Sequence, residues 1–548
     1  MADRLPELFF GLVSPVGADS EGLVQQLTNE LAKVGYTPRV IRLIEALPES
    51  HLYPRFNDED IKVRYNARMD AGNKFRKIAN ECLSFAKDLP SYFSGNAAFG
   101  LLATLEIQRA RASCPVAGQG SRGVAYILRS LKREEEVEFL RKVYGRSFFV
   151  IAAYSGKDRR TTRLKDQIQH TSSATKPQSA IESDADTLVA RDERETHGDH
   201  GQRLGDTFAK ADFFVNVDSQ TATKTALDRF VRLLFADPAI TPSADEVMMF
   251  HAFGAAMRSS DLSRQVGAVI ASGQSILATG TNEVPRFGGG VYSEDDHDDH
   301  RDTAKQYDSS NEMKRQGLTE LLGALLRAFK TPKSKLGDLE ALLEDDEALD
   351  KAAKTVFEKT VKTRLMSVLE FGRAVHAEMC AITEAARNGV KVDGSTLYTT
   401  TFPCHLCARH IISAGVKRVV YIEPYPKSLA VQQFGESISF DGERENAVSF
   451  DSYVGVAPSQ YLSLFTMLDR PRKDKSGKVL QWNASEATYS DGEAEENYLD
   501  KEQEYSALLL LPLENWVKEL KSRKRERKSD NEYVARTTKT ARKQPRRS

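Results

Sequence analysis

Val375-His376-Ala377-Glu378-Met379-Cys380, followed after a spacer by Thr400-Thr401-Phe402-Pro403-Cys404-His405-Leu406-Cys407, decides how this chain is read. Cys404 and Cys407 stand three apart behind Pro403, at a predicted helix start. That spacing puts both sulfurs on one helix face, where the positive N-terminal end favours thiolates. His376 adds a nitrogen donor. Three protein ligands hold a zinc ion and leave its fourth position open for water, the mark of a catalytic rather than a closed structural site. Zinc lowers the pKa of such a water to about 7. Glu378, two residues from the histidine, stays outside the ligand set and is placed to carry protons. The spacer, residues 395–400, is rich in β-formers between two helical patterns. It predicts a helix, strand, helix order that brings both halves to one metal.

Either half alone is ambiguous, since Cys-x-x-Cys also serves redox pairs and zinc ribbons, and His-Ala-Glu also occurs on solvated helix faces. Together they resemble the zinc-dependent nucleobase deaminases. His405, inside the pair, reads as a neighbour of the centre rather than a fourth ligand, and His410 likewise. Cys82, Cys114 and Cys380 read as small buried hydrophobes.

Upstream, a helical pattern over 246–259 leads to Asp261-Leu262-Ser263-Arg264-Gln265-Val266-Gly267-Ala268-Val269-Ile270. A turn at Ser272-Gly273-Gln274 and a second apolar run ending Thr281-Asn282-Glu283-Val284-Pro285 complete a predicted hairpin. These residues are similar to those of the cytidine and deoxycytidylate deaminase family, over about 245–290 and 370–430. The resemblance implies that Asn282 helps bind the substrate's sugar; capping the strand end is the other reading.

Between the matching segments lies an insertion over about 288–370, with an acidic run, residues 293–302, containing His297 and His300. Such a run is a solvated loop, a lid or oligomer contact, or a second metal site. Arg301 behind it is a candidate phosphate contact. After the motif, residues 417–422 read as a strand. The loop beyond offers Tyr425 to stack on a base, and Lys427 and Ser428 to meet a phosphate at the sheet's C-terminal edge. An aromatic-rich element over 450–465 reads as the close of this domain.

The chain of 548 residues suffices for two or more domains, and 40% hydrophobic content with a net charge of −1 carries no global bias toward nucleic acid. Five cysteines point to a reducing compartment rather than a disulfide framework. No signal-peptide pattern or long apolar run is visible, so the expectation is a cytoplasmic protein without a membrane partner.

In the first half, apolar runs at 8–13, 40–43, 124–128, 147–154 and 211–217 alternate with helical patterns, which predicts a parallel sheet of βαβ units. This arrangement resembles the P-loop nucleotide kinases, with Gly11, Ser14 and Gly17 as candidate nucleotide contacts. Ala18 and Asp19 stand where a working P-loop has Lys and Ser or Thr, so an active kinase is not expected. Residues 161–200 read as a polar insertion or lid, with helical periodicity over 186–195.

The expected α/β architecture is therefore a degenerate P-loop kinase-like parallel-sheet domain over 1–238 and a cytidine-deaminase-like three-layer α/β/α domain over 239–515. A basic tail over 516–548 follows, solvated or polyanion-binding. This combination resembles the bacterial anti-phage dCTP/dCMP deaminases. The resemblance implies deamination of deoxycytidine nucleotides with Zn2+, a homo-oligomer of hexameric form, and control by a nucleotide effector or an inhibitory RNA. The competing readings are a deaminase of RNA or single-stranded DNA, and a nonenzymatic binding protein stabilised by zinc.

Overall fold

The computed structural model describes residues 5–47, 59–83, 94–113, 123–171, 176–194, 204–328, 351, 353–354, 356–357, 371–425, 428–440, 442–467, 471–489 and 498–518. The chain divides into two compact units, 1–246 with 453–548, and 247–452.

In the first unit, β1 (Leu8–Val13), β2 (Tyr36–Arg42), β3 (Gly123–Arg129), β4 (Phe148–Tyr154) and β5 (Phe213–Asn216) are parallel, with β1 between β3 and β4. Buried on both faces, β1 is apolar along its whole length, as a central parallel strand must be. Leu8, Phe10 and Leu12 share one face and join the core that also holds Leu23, Leu27 and Leu31, spaced four apart on the helix Ser20–Lys33. Phe9 faces the other way and stacks on Tyr144 with ring centres 3.8 Å apart. Pro38 is tolerated because β2 is an edge strand.

The polar stretch read as a lid is mostly two helices, Lys157–Thr171 and Gln178–Arg194. Leu164, Ile168, Ile181, Ala185, Leu188 and Val189 recur at helical spacing and are buried with Val16 and Ile61. These few apolar positions are enough to dock helices that are otherwise highly charged. Residues 195–203 lie outside the described residues.

In the second unit the strands are β6 (Gly267–Ser272), β7 (Ser275–Thr281), β8 (Thr396–Thr401), β9 (Arg418–Glu423), β10 (Ile438–Phe440) and β11 (Val448–Ser452). They form a mixed sheet in the order β10-β11-β9-β8-β6-β7. A Cβ on Gly267 would sit 1.9 Å from the Ala252 carbonyl oxygen, and one on Gly280 2.1 Å from that of Ala377. Gly267 pairs with Thr281 and Gly280 with Ala268, so the two glycines point to opposite faces. The helices Ala244–Ala256 and Ala377–Arg387 therefore cover opposite sides of the sheet, giving three layers. Within the insertion, Ser309–Ala328 is helical and residues 329–350 lie outside the described residues.

The second unit closes at Ser452, earlier than the sequence suggests. Gly455–Val456 forms β12, which pairs antiparallel with β5 in the first sheet. Tyr453, Val456 and Leu464 are buried, Tyr453 edge-on to Phe214. A two-residue strand has no periodicity to read, so the aromatic content of 450–465 pointed to the wrong core. The helix Tyr498–Leu508 also packs in the first unit, through Glu502, which accepts from Arg111 and Tyr144. Residues 519–548, which hold most of the basic tail, lie outside the described residues.

Candidate metal centre and its surroundings

Two helix N-termini meet at the C-terminal edge of β8. His376 is the N-cap of Ala377–Arg387, and Cys404 is the N-cap of His405–Ser413, its sulfur accepting from the Cys407 amide at 3.5 Å. Cys404 Sγ and Cys407 Sγ lie 3.3 and 3.4 Å from His376 Nδ1. All three donor atoms lie within 4.8 Å of one another. Among the described residues this is the one such group of histidine, cysteine and carboxylate donors.

The donors fit zinc. Bonds of about 2.3 Å to sulfur and about 2.0–2.1 Å to nitrogen at tetrahedral angles call for S···N separations of about 3.6 Å, close to those present. Electrostatics agree. The hydrogen-bonded Cys404 sulfur pushes the His376 imidazole up to about 9 against its burial. The Cys407 thiol pulls its partner Cys404 down to about 4, with His376 helping, and the pairing and burial drive Cys407 well up. The pocket thus already favours a thiolate, as a metal site with two helix N-termini aimed at it should. Binding zinc would release the protons left on His376 and Cys407.

Glu378 is 4% exposed and its Oε2 lies 3.4 Å from Cys407 Sγ, outside the donor group. Burial raises its carboxyl above the ordinary value, against the lowering effect of His376. A buried carboxyl whose proton is held more tightly than usual, beside the donor group, is suited to general acid–base work.

Around the centre the sequence-derived candidates separate. Asn282 is buried; its Oδ1 accepts from the Val266 amide at 2.7 Å and its Nδ2 donates to the Arg264 carbonyl at 2.8 Å, so the side chain ties the loop before β6 to the end of β7. Tyr425 is half-buried against the core that holds both cysteines, and burial, with the Cys404 thiolate, raises its hydroxyl. Ser428 donates to the Pro403 carbonyl at 2.8 Å and so braces the cysteine loop. Lys427 lies outside the described residues. The Arg301 guanidinium pairs with Asp299 at 2.8 Å and Glu294 at 3.0 Å. In the acidic run before it, Glu294 and Asp299 make those pairs and Asp296 accepts from the Ser293 amide at 2.7 Å; among the described residues the run assembles no second donor group.

The first unit's candidates take packing and internal roles. Gly11 lies inside β1, where a Cβ would come within 2.5 Å of Leu131 Cδ1. Gly17, at φ 84°, lies under Arg160 and its carbonyl accepts from Arg163 at 3.1 Å. The Ser14 carbonyl accepts from Lys132 at 2.8 Å. The loop between β1 and its helix already holds an anion: the buried Asp192 accepts from the Val16 amide at 2.7 Å and from Lys132 at 3.1 Å. Nothing in the spacing of Asp192 within a polar helix announced that contact.

Relatives agree with the geometry over short stretches. The chain is 48% identical over 54 residues to the deoxycytidylate deaminase of Enterobacteria phage T2, covering 10% of this chain and 29% of that protein. It is 42% identical over 64 residues to ComE operon protein 2 of Bacillus subtilis (strain 168), covering 12% of this chain and 34% of that protein. It is 34% identical over 90 residues to the tRNA-specific adenosine deaminase of Buchnera aphidicola, covering 16% of this chain and 59% of that protein. The matches to the first two thus span about a third of those proteins' length. Residues 242–423, which contain the hairpin, the insertion and all three metal donors, match the family model of the cytidine and deoxycytidylate deaminase zinc-binding region.

Proposed function

We propose that this chain removes the 4-amino group of a deoxycytidine nucleotide, dCMP or dCTP, by hydrolysis, giving the deoxyuridine nucleotide and ammonia. The observation that carries this reading is the convergence of His376, Cys404 and Cys407 on one point beside a buried carboxyl, Glu378. His376, Cys404 and Cys407 would hold the zinc, which would supply Lewis acidity for the attack of water on C4. Glu378 takes a proton from the attacking water as the C4–O bond forms and passes it to ring N3; it then takes the second proton from the new C4 hydroxyl and gives it to the amine, so that the C4–N bond breaks and ammonia leaves as C4=O forms. Its raised pKa suits it to hold the proton between those steps. Tyr425, packed beside the cysteine loop, offers a ring for the base to lie against.

In the same reading the reaction drains the deoxycytidine nucleotide pool on which phage replication draws. The protein acts in the cytoplasm as a homo-oligomer of hexameric form under a nucleotide effector or an inhibitory RNA. The kinase-like first unit serves that control rather than phosphoryl transfer, having no P-loop lysine. The match to a tRNA-specific adenosine deaminase favours a second reading, a polynucleotide substrate. Ammonia release from purified, zinc-loaded protein should be measured with cytidine, dCMP, dCTP, CTP, and RNA and DNA oligonucleotides. Turnover of dCMP or dCTP above all others is expected; turnover of oligonucleotides alone would establish the second reading instead.

A further inference from the structure

We propose that Arg264 is the residue that reads the substrate's phosphate, and that Asn282 positions it. The proposal rests on the nucleotide reading of the site and names the group that separates a nucleotide from a nucleoside. It begins with the topology. β6 runs antiparallel to β8, so the loop entering β6 lies beside the end of β8 from which the Cys404 loop emerges. The Gly267 amide donates to Thr400 Oγ1 at 3.2 Å, which fixes that neighbourhood. Arg264 stands three residues before Gly267 and reaches across the same edge, its Nη1 lying 3.5 Å from Glu423 Oε2 at the end of β9. Thr401 pairs with Glu423 across β8 and β9, and two residues later the chain arrives at Pro403-Cys404. The fields felt by neighbours agree, for the Tyr425 hydroxyl senses both the Cys404 sulfur and Arg264.

Charge then singles out this side chain. The carboxylates near the centre, Glu378, Glu423 and Asp261, repel a phosphate, and zinc with two thiolates carries no net charge. Arg301, Arg286 and Arg373 are each held by a carboxylate at 3.0 Å or closer. The one ion pair of Arg264 among the described residues is the long contact with Glu423, and its side chain is 48% exposed. A guanidinium so placed can exchange a weak carboxylate contact for a bidentate one with a phosphate. Its backbone is fixed: the Arg264 amide donates to Asp261 Oδ1 at 3.2 Å, and its carbonyl and the next-but-one amide are held by Asn282. Asn282 thus acts on the phosphate through Arg264.

The test is equilibrium binding by calorimetry of dCMP and deoxycytidine to the full zinc-loaded chain, carrying Glu378→Gln throughout to block turnover, with positions 264 and 282 as wild type or as Arg264→Gln, Arg264→Lys and Asn282→Ala. The wild type should prefer dCMP. Arg264→Gln should weaken dCMP by about 10- to 100-fold and leave deoxycytidine within about twofold. Arg264→Lys should recover part of the preference, and Asn282→Ala should lose part of it. Three outcomes overturn the assignment: equal binding of both ligands by the wild type, dCMP affinity unchanged in Arg264→Gln, or equal losses for both ligands, which mark a structural role. Ammonia release is scored separately, with Glu378 intact. A wild type that binds dCMP with Arg264-dependent preference and releases no ammonia sinks the proposed reaction and keeps the phosphate assignment.

Discussion

Replacing Asp192 by alanine should destabilise the first unit by about 3 kcal/mol. The carboxylate is 1% exposed and joins three elements: its helix, the loop after β1 through the Val16 amide, and Lys132 before the helix Glu134–Tyr144. Removing one partner of a buried pair costs about 3–5 kcal/mol because the other charge is left uncompensated. Lys132 keeps the Ser14 carbonyl and some solvent, with its side chain 13% exposed, which places the loss at the low end. Both tryptophans of the chain, Trp482 and Trp516, belong to the first unit, so intrinsic fluorescence in urea follows that unit selectively. With a slope of about 3 kcal/mol per molar, the midpoint should fall by about 1 M. Asp192→Asn, which can still accept from Val16, should fall less. Removing both charges, Lys132→Met with Asp192→Ala, should recover much of the loss. An Asp192→Ala midpoint equal to wild type, or a double variant as unstable as the sum of the singles, would refute the internal-anion account of this loop.

Glu378→Gln should lower kcat for ammonia release by at least about 100-fold while the zinc content by elemental analysis stays near one per chain; loss of zinc instead would make the residue a ligand. Cys404→Ser should lose zinc at a chelator concentration that wild type withstands, and chelation should abolish turnover reversibly, zinc restoring it. Glu135 supplies a pH test. Burial pushes its carboxyl up, but Arg133, the helix amides and Asn96 outweigh that and hold it below 4.5. A depressed folded pKa gives stability that is present in full above 4.5 and lost as pH falls through the folded value. The fluorescence midpoint should therefore fall from about pH 5 to about pH 3, and Glu135→Gln should fall less; an equal fall would exclude Glu135 as a contributor.

The metal centre was legible because its chemistry fixes residue types and spacing at once: a histidine heading one helix, a Cys-x-x-Cys heading the next, and one strand between. Strands β1 and β4 were legible for a similar reason, since strands buried along nearly their whole length must be apolar throughout, whereas the half-exposed edge strand β2 gave only the short apolar run at Val40-Ile41. Contacts between distant residues left no such trace. Arg301 looked like a free cation beside an acidic run, and that same run turned out to neutralise it. Asn282 was marked by its place after β7, but only the fold shows that both ends of its amide hold the Arg264 loop. The return of β12 to the first sheet rests on two backbone-paired residues, too few for any pattern.

That return has a consequence for how the protein is made. β5 finds its outer partner only after residues 247–452 have been synthesised, because the pairing strand lies beyond them. At about 5–20 residues per second the ribosome needs roughly 10–40 s for that stretch. Throughout that interval the edge at Phe213 and Phe214 stands open on the nascent chain, a sticky margin that invites mispairing or a chaperone's attention. Birth order thus leaves the half without the metal vulnerable longest, and stalled or prematurely ended translation should betray itself there first.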